Sequence, residues 1–268
     1  MSTIEDTDRK APTGEAKALV KGIAALNAIA AEPRGLALID VARAADLPKA
    51  TAHRLLVTLV DTGLVRPLGD GRYGLGSHCL ALGDAFLDAI DLRTEALNQM
   101  RLLVDATGET CHLGILSDDR VVYIEKLDSP HPIRMYSRVG ATNPAATTSL
   151  GKAILAFSGE DVVDRVYGRG IPQRTPATVT DRDEAVRLLA EVRRQGYATD
   201  DVENEEGIRC VAAPILDHQA LPVGGISISG PEQRVTRERV GELGEAVRGA
   251  AEAVSRGLGF RGPFPPRG

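Results

Sequence analysis

The sequence predicts an α+β chain built in two parts, and three observations carry that expectation. Residues 17–76 hold three stretches of helical apolar spacing closed by an Asp-Gly hairpin signal, and residues 77–107 hold two further helical periods with no strand between them. From Glu109 onward the apolar residues fall into short strand-like runs interleaved with helices. At 268 residues, with 43% hydrophobic and 26% charged content, the chain has room for two cores and the composition of an ordinary globular protein.

In the first part, Leu19, Ile23, Leu26 and Ile29 share one side of a first helix. It ends at Glu32-Pro33-Arg34-Gly35, where the proline pushes the residue before it out of helical geometry. Leu38 to Ala45 is a second, short helix with Leu38, Ala42 and Ala45 on one side, and only Asp46 and Leu47 separate it from Pro48. That is helix-turn-helix spacing. In the third helix Ala52, Leu55, Leu56 and Leu59 stand at i, i+3, i+4 and i+7 and form the apolar face, with Pro48 suited to its first turn and Gly63 to the residue past its end. Val65 to Leu68 and Arg72 to Leu75 then pair around Gly69-Asp70-Gly71. Three helices and a two-stranded wing make a winged helix-turn-helix.

Opposite its apolar side, the third helix presents Lys49, Ala50, His53, Arg54 and Val57, long donors among small residues. Such a stripe suits phosphates and base edges in a major groove. With Thr51 and Thr58 on the same helix and Arg72 on the wing, these are the candidate contacts to a double-stranded DNA operator. Charge agrees: residues 17–75 carry 8 Lys and Arg against 5 Asp and Glu, whereas the whole chain has a net charge of −5. A basic module on an acidic chain fits a protein that meets phosphate only at one end.

Ser77 to Ile90 and Leu92 to Ala106 read as helices, with Ser77 and Asp91 as N-caps and Gly108 as a stop. Leu80, Leu82, Phe86, Leu87 and Ile90 supply more apolar surface than a solvated connector needs, which points to packing against a second copy of the chain. Pairing would set two DNA-reading helices at a defined half-site spacing. Beyond the linker, strands are expected at Thr110 to Leu116, Val121 to Leu127, Ile133 to Val139, Ile208 to Leu216 and Val223 to Ser229. Helices are expected at Ser149 to Phe157, Asp161 to Tyr167, Asp183 to Gln195 with Gly196 as stop, and Thr236 to Leu258. Residues 91–260 thus form an antiparallel sheet with helices on its faces, of the kind that serves a small-molecule sensor. Residues 1–16 and 261–268 are polar or rich in Pro and Gly and read as loose tails.

No apolar run approaches the roughly 20 residues of a membrane helix, and the segment MSTIEDTDRK lacks the apolar core of a signal peptide, so the expected location is cytoplasmic with no membrane partner. Cys79, Cys111 and Cys210 are far apart and fit neither a disulfide framework nor a zinc site. No metal, cofactor or catalytic residue is expected.

Four segments, LPKATAHRLLVTLVDTGLV from Leu47, RMYSRVG from Arg134, TTSLGKAILA from Thr147 and DDVENEEGIRCVAAPI from Asp200, followed by GGISISG from Gly224, resemble in order and spacing the IclR-type bacterial transcriptional regulators. The resemblance runs from about Ala18 to Leu258. It departs at Ala146, where many members carry His. It implies an N-terminal winged helix-turn-helix, a helical linker and a GAF-like effector-binding domain, in dimers and often tetramers.

The resemblance also implies an effector pocket lined by Ser149, Leu150, Asp200, Cys210, Ser227 and Ser229. Its chemistry suits a small organic acid. The first turn of the Ser149 helix offers free N–H groups and a positive dipole, and Ser227 and Ser229, two apart on a strand, face one way. Each residue also has a plain structural reading: Ser149 as a helix cap, Cys210 as core, Asp200 as a turn former. Arg134 and Arg138 share a face and can meet either a ligand carboxylate or Glu205 and Glu206. Two other functions compete, a DNA-binding protein whose second domain only oligomerises and a Cys210-dependent hydrolase with His112 or His218 as base.

Overall fold

The computed structural model describes residues 14–89, 91–133 and 135–266, in two compact units, residues 1–89 and 90–268. In the first unit α1 (Gly14–Ala30), α2 (Leu38–Ala44) and α3 (Lys49–Asp61) enclose a small core of Ala25, Ile29, Val41, Leu56, Leu59 and Val65. The helix-turn-helix forms as its spacing predicts, with Pro48 at the N-cap of α3. The wing has one strand more than expected, because β1 (Leu36–Ala37) pairs with β3 (Arg72–Leu75) on the side away from β2 (Val65–Pro67). A two-residue strand has no period to read.

The buried side of α1 differs from the expected one. Gly22, Ala25 and Ile29 are buried, while Leu19 and Ile23 are 67% and 49% exposed. Small residues mark the contact because they let the helix axes approach; a Cβ on Gly22 would stand 3.9 Å from Leu55 Cδ2 of α3. α4 (Ser77–Ala89) follows the wing and begins at Ser77 itself, which is its first helical residue rather than its cap. Leu80 and Leu82 are exposed on it; the side chains of Phe86 and Leu87, and Ile90 altogether, lie outside the described residues.

The second unit opens with α5 (Leu92–Thr107), capped by Asp91, which accepts from the Arg93 amide, and ended by left-handed Gly108. β4 (Thr110–Ser117), β5 (Arg120–Leu127), β6 (Thr142–Pro144), β7 (Ala198–Asp201), β8 (Ile208–Leu216) and β9 (Pro222–Pro231) make one antiparallel sheet in the order β6-β5-β4-β9-β8-β7. Both edges depart from expectation. Ile133 to Val139 carries no strand among the described residues, Arg134 lying outside them, and the edge is β6 instead, with Thr142 opposite Val122. Ile133 and Val139 alternate with polar residues but remain exposed, since no layer covers them. At the other edge β7, with the unpromising sequence ATDD, is recruited by the free side of β8. Neither edge has an apolar alternation of its own to reveal it.

The sheet's two faces differ in chemistry. Cys111, Leu113, Val211, Ala213, Ile215, Ile226 and Ile228 form an apolar face that packs, with α5 and α9 (Val240–Gly257), into the larger core. The other face carries His112, Cys210, Ala212, Ser227 and Ser229, their register partners and neighbours, and is covered by α6 (Ser149–Ala156), backed by α7 (Glu160–Tyr167) and α8 (Arg182–Gln195). The expected helix from Thr236 begins with a separate 3-10 turn, Arg237–Arg239, before α9. The segment from Arg261, expected to be loose, is held on the larger core by Phe264, whose ring meets Phe260 edge-on at 6.0 Å.

Candidate functional site

α6 packs closely on the polar face because two glycines make a socket for its first turn. Gly114 and Gly225 lie opposite each other on β4 and β9, and a Cβ on either would stand 3.2 or 3.0 Å from the Leu150 methyl groups. Gly151 passes so near the preceding loop that a Cβ there would lie 2.0 Å from the Ala145 carbonyl oxygen. Beside this socket the short side chains of Cys210, Ser227 and Ser229 leave a gap. The result is a small, partly open cavity with room for about one water in its present form.

All six residues expected at a pocket line it: Ser149, Leu150, Asp200, Cys210, Ser227 and Ser229. Tyr123, Met135, Thr148, Asn204, Glu205 and Ile208 complete the wall. Tyr123 was legible as the polar member of the inward alternation Val121-Tyr123, whereas Met135 and Asn204 come from irregular segments with no period. At the helix start the cap is Thr148, whose Oγ1 accepts from the Gly151 amide at 3.1 Å. Ser149, one residue on, is buried at the cavity and is not the cap. Of the two arginines set aside, Arg134 lies outside the described residues and Arg138 is exposed.

Asp200 is 2% exposed, and its Oδ1 accepts from the amides of Glu203 at 2.7 Å and Asn204 at 3.2 Å. This forms the turn after β7, in which Val202 takes a φ of +63°, a left-handed conformation costly for a β-branched residue. Thr175 and Thr178 hold the turn by donating to the carbonyls of Val202 and Glu203, each at 2.7 Å. Thr147 ties it to the start of α6, donating to Asn204 Oδ1 at 3.0 Å. Burial pushes the Asp200 carboxyl up to about 7, against the pull of the Lys152 ammonium and with the repulsion of Glu203. Lys152 itself is matched, its Nζ lying 2.5 Å from Glu203 Oε1.

His112 stacks on Tyr123 with ring centroids 4.6 Å apart, and its Nε2 lies 2.7 Å from Ser137 Oγ. Burial, and then the nearby Lys126 charge, lower it to about 3, so it is a neutral imidazole. The electrostatics of the site give the hydrolase reading no support. Burial, and then the neighbouring Asp200 charge, drive the Cys210 thiol well above its ordinary value, away from the nucleophilic thiolate. His218 stands exposed in the turn between β8 and β9.

In the first unit Lys49, Ala50, His53, Arg54, Val57 and Thr58 all lie exposed on one side of α3, and Thr51 is half-buried. Arg72 on the wing is paired with Asp70, its Nε 2.7 Å from Asp70 Oδ2. The apolar side behaves as its spacing predicts, with Ala52, Leu56 and Leu59 buried and Leu55 half-buried. Among the described residues no helix is long and apolar enough to cross a membrane.

Comparison with known proteins accounts for both units. The model of the IclR helix-turn-helix domain matches residues 18–69, and that of the bacterial transcriptional regulator IclR C-terminal domain matches residues 84–256. The transcriptional repressor IclR of Escherichia coli is 36% identical over 251 residues, 92% of each chain. Among solved structures, the Agobacterium tumefaciens repressor BlcR superposes with a TM-score of 0.79 at 29% identity, covering 93% of this chain and all of that one. An IclR homologue from Microbacterium hydrocarbonoxydans, solved with 4-hydroxybenzoate, superposes with a TM-score of 0.57 at 27% identity over 90% of this chain and 98% of its own. With an exposed basic helix in one unit, a polar cavity in the other and both domain models matched in order, the chain belongs to the IclR family of bacterial transcriptional regulators.

Proposed function

We propose that this regulator binds a double-stranded operator as a homodimer or homotetramer in the cytoplasm, and that a small organic acid in the 149–229 cavity alters that binding. The observation that carries the reading is the cavity: five polar or small residues and Leu150, from four separate elements, converge on one small space at the start of α6. The first N–H groups of that helix favour a carboxylate, and hydroxyls of Ser149, Ser227 and Ser229 are at hand to bind its oxygens. The solved relative with 4-hydroxybenzoate supports an acid as the class of ligand.

Lys49, Ala50, Thr51, His53, Arg54 and Thr58 of α3, with Arg72 of the wing, are the proposed DNA contacts. The exposed apolar Leu80 and Leu82 of α4 supply surface for the pairing of subunits. Linkage then demands that the acid bind DNA-competent and DNA-incompetent forms with different affinity. A gel shift on the DNA flanking its own gene tests the first half, and absence of a sequence-specific complex at moderate salt would overturn it. Melting temperature against a panel of small acids tests the second, since a ligand of the folded state must raise it.

A further inference from the structure

The cavity holds a carboxyl group and, among the described residues that line it, no cation to balance an incoming one. Among the described residues that line it there is no Lys, Arg or charged His. Asp200 uses Oδ1 on two backbone amides of the turn that follows β7. From β5 comes the Tyr123 hydroxyl, which accepts from Asn143 Nδ2 at 3.2 Å. From α6 comes Lys152, whose charge is taken by Glu203. From the turn come Glu203 and, at the rim, exposed Glu205. From β8 comes the Cys210 thiol, and β4 contributes neutral His112, reached through Ser229 Oγ at 3.5 Å. No group in this set neutralises a second carboxylate.

An acid enters only as the cavity widens, and because Asp200 lines it together with Ser149, Ser227 and Ser229, the bound carboxylate then lies beside Asp200. Two carboxylates in contact and out of water do not both stay ionised; one of them holds a proton that the other accepts. We propose, on the reading that the ligand is a small organic acid, that the cavity takes up its carboxylate together with one proton from solvent, held on Asp200 and donated to the bound carboxylate. No bond other than this O–H forms or breaks. The carboxyl of Asp200, already raised to about 7 by burial, is poised to accept that proton near neutrality. Effector affinity then depends on pH as well as on concentration, and acidification favours the occupied form.

The test uses the full chain and acetate, propionate, succinate, benzoate and 4-hydroxybenzoate as probes, first by melting temperature at pH 5.5 and 8.5, then by titration calorimetry with the tightest. The expected result is a dissociation constant that rises about tenfold per pH unit above pH 7, with close to one proton taken up per acid bound at pH 8 when phosphate and Tris buffers are compared. Asp200→Asn, neutral and of the same shape, is expected to bind the same acid with no pH dependence. A wild-type affinity that is flat from pH 5.5 to 8.5 without proton uptake overturns the proton coupling and leaves the acid reading standing. If none of the five acids raises the melting temperature at either pH, both are overturned. Proton uptake by the wild type decides the matter even if the Asn variant folds poorly.

Discussion

The Lys152 ammonium and the Glu203 carboxylate, 2.5 Å apart with side chains only 5% and 9% exposed, join the cavity helix α6 to the turn that carries Asp200. The pair is a constraint more than a source of net stability, because desolvation offsets most of the Coulomb attraction. Removing one partner strands a buried charge. Lys152→Met is therefore expected to cost about 3–5 kcal/mol in urea unfolding, and the double variant Lys152→Met/Glu203→Leu to recover most of it. Equal stability of the single variant and the wild type would refute the pairing.

Asp200 and His112 are expected to pull stability in opposite directions with pH. Asp200 is raised from 3.8 to about 7, so the folded state holds a proton that the unfolded chain has lost, and stability falls as pH climbs through that window. His112 is lowered from 6.5 to about 3, so the unfolded chain holds the extra proton, and stability falls as pH drops from 6.5 toward 3. In the wild type the two largely cancel between 3.8 and 6.5. Relative to it, Asp200→Asn should lose stability on acidification below pH 6.5, and His112→Asn should lose stability as pH rises from about 4 to about 7. Each difference is at most about 5 kcal/mol. Parallel stability curves for all three proteins would show that neither group is perturbed.

Val202 sits in left-handed backbone at φ +63° inside a turn whose carbonyls are held by Thr175 and Thr178. Val202→Gly removes the steric cost while leaving those hydrogen bonds in place, against a loss of unfolded-state order and of one half-buried side chain. The net expectation is a stabilisation of about 1 kcal/mol, read as a rise in melting temperature. A fall would mean that the Val202 side chain contributes more by packing than its backbone costs.

On the exposed side of α3, Arg54→Ala is expected to weaken operator binding by about 1–3 kcal/mol and to relax specificity at one base pair. Lys49→Ala should weaken all sequences alike and lower the slope of log K against log salt by about 1. Binding of operator and random duplexes at three salt concentrations separates the two roles, and indistinguishable effects on specificity would refute the division.

Local pattern was a good guide wherever an element carries its own signal. The face of α3 follows from four apolar residues at helical spacing, and the common direction of Ser227 and Ser229 follows from their separation by two on a strand. It misled where contact partners decide. The largest apolar residues of α1 were read as its buried stripe, but closeness to α3 selected Gly22 and Ala25. The ATDD segment became an edge strand only because β8 has a side to spare. Thr148 took the capping role one residue before the serine that looked suited to it.

By itself, then, the sequence determined the third helix, the hairpin of its wing, most of the interleaved strands and helices, and six of the twelve residues that line the cavity, since periodicity states which way a side chain points and the family resemblance picked out those six. What those side chains meet was decided by the tertiary structure alone. Lys152 is neutralised by a residue 51 positions away, and Asp200 is shut off from water by strands and helices remote in the chain. Desolvation and ion pairing depend on every neighbour in space, and a linear pattern contains only the neighbours in sequence.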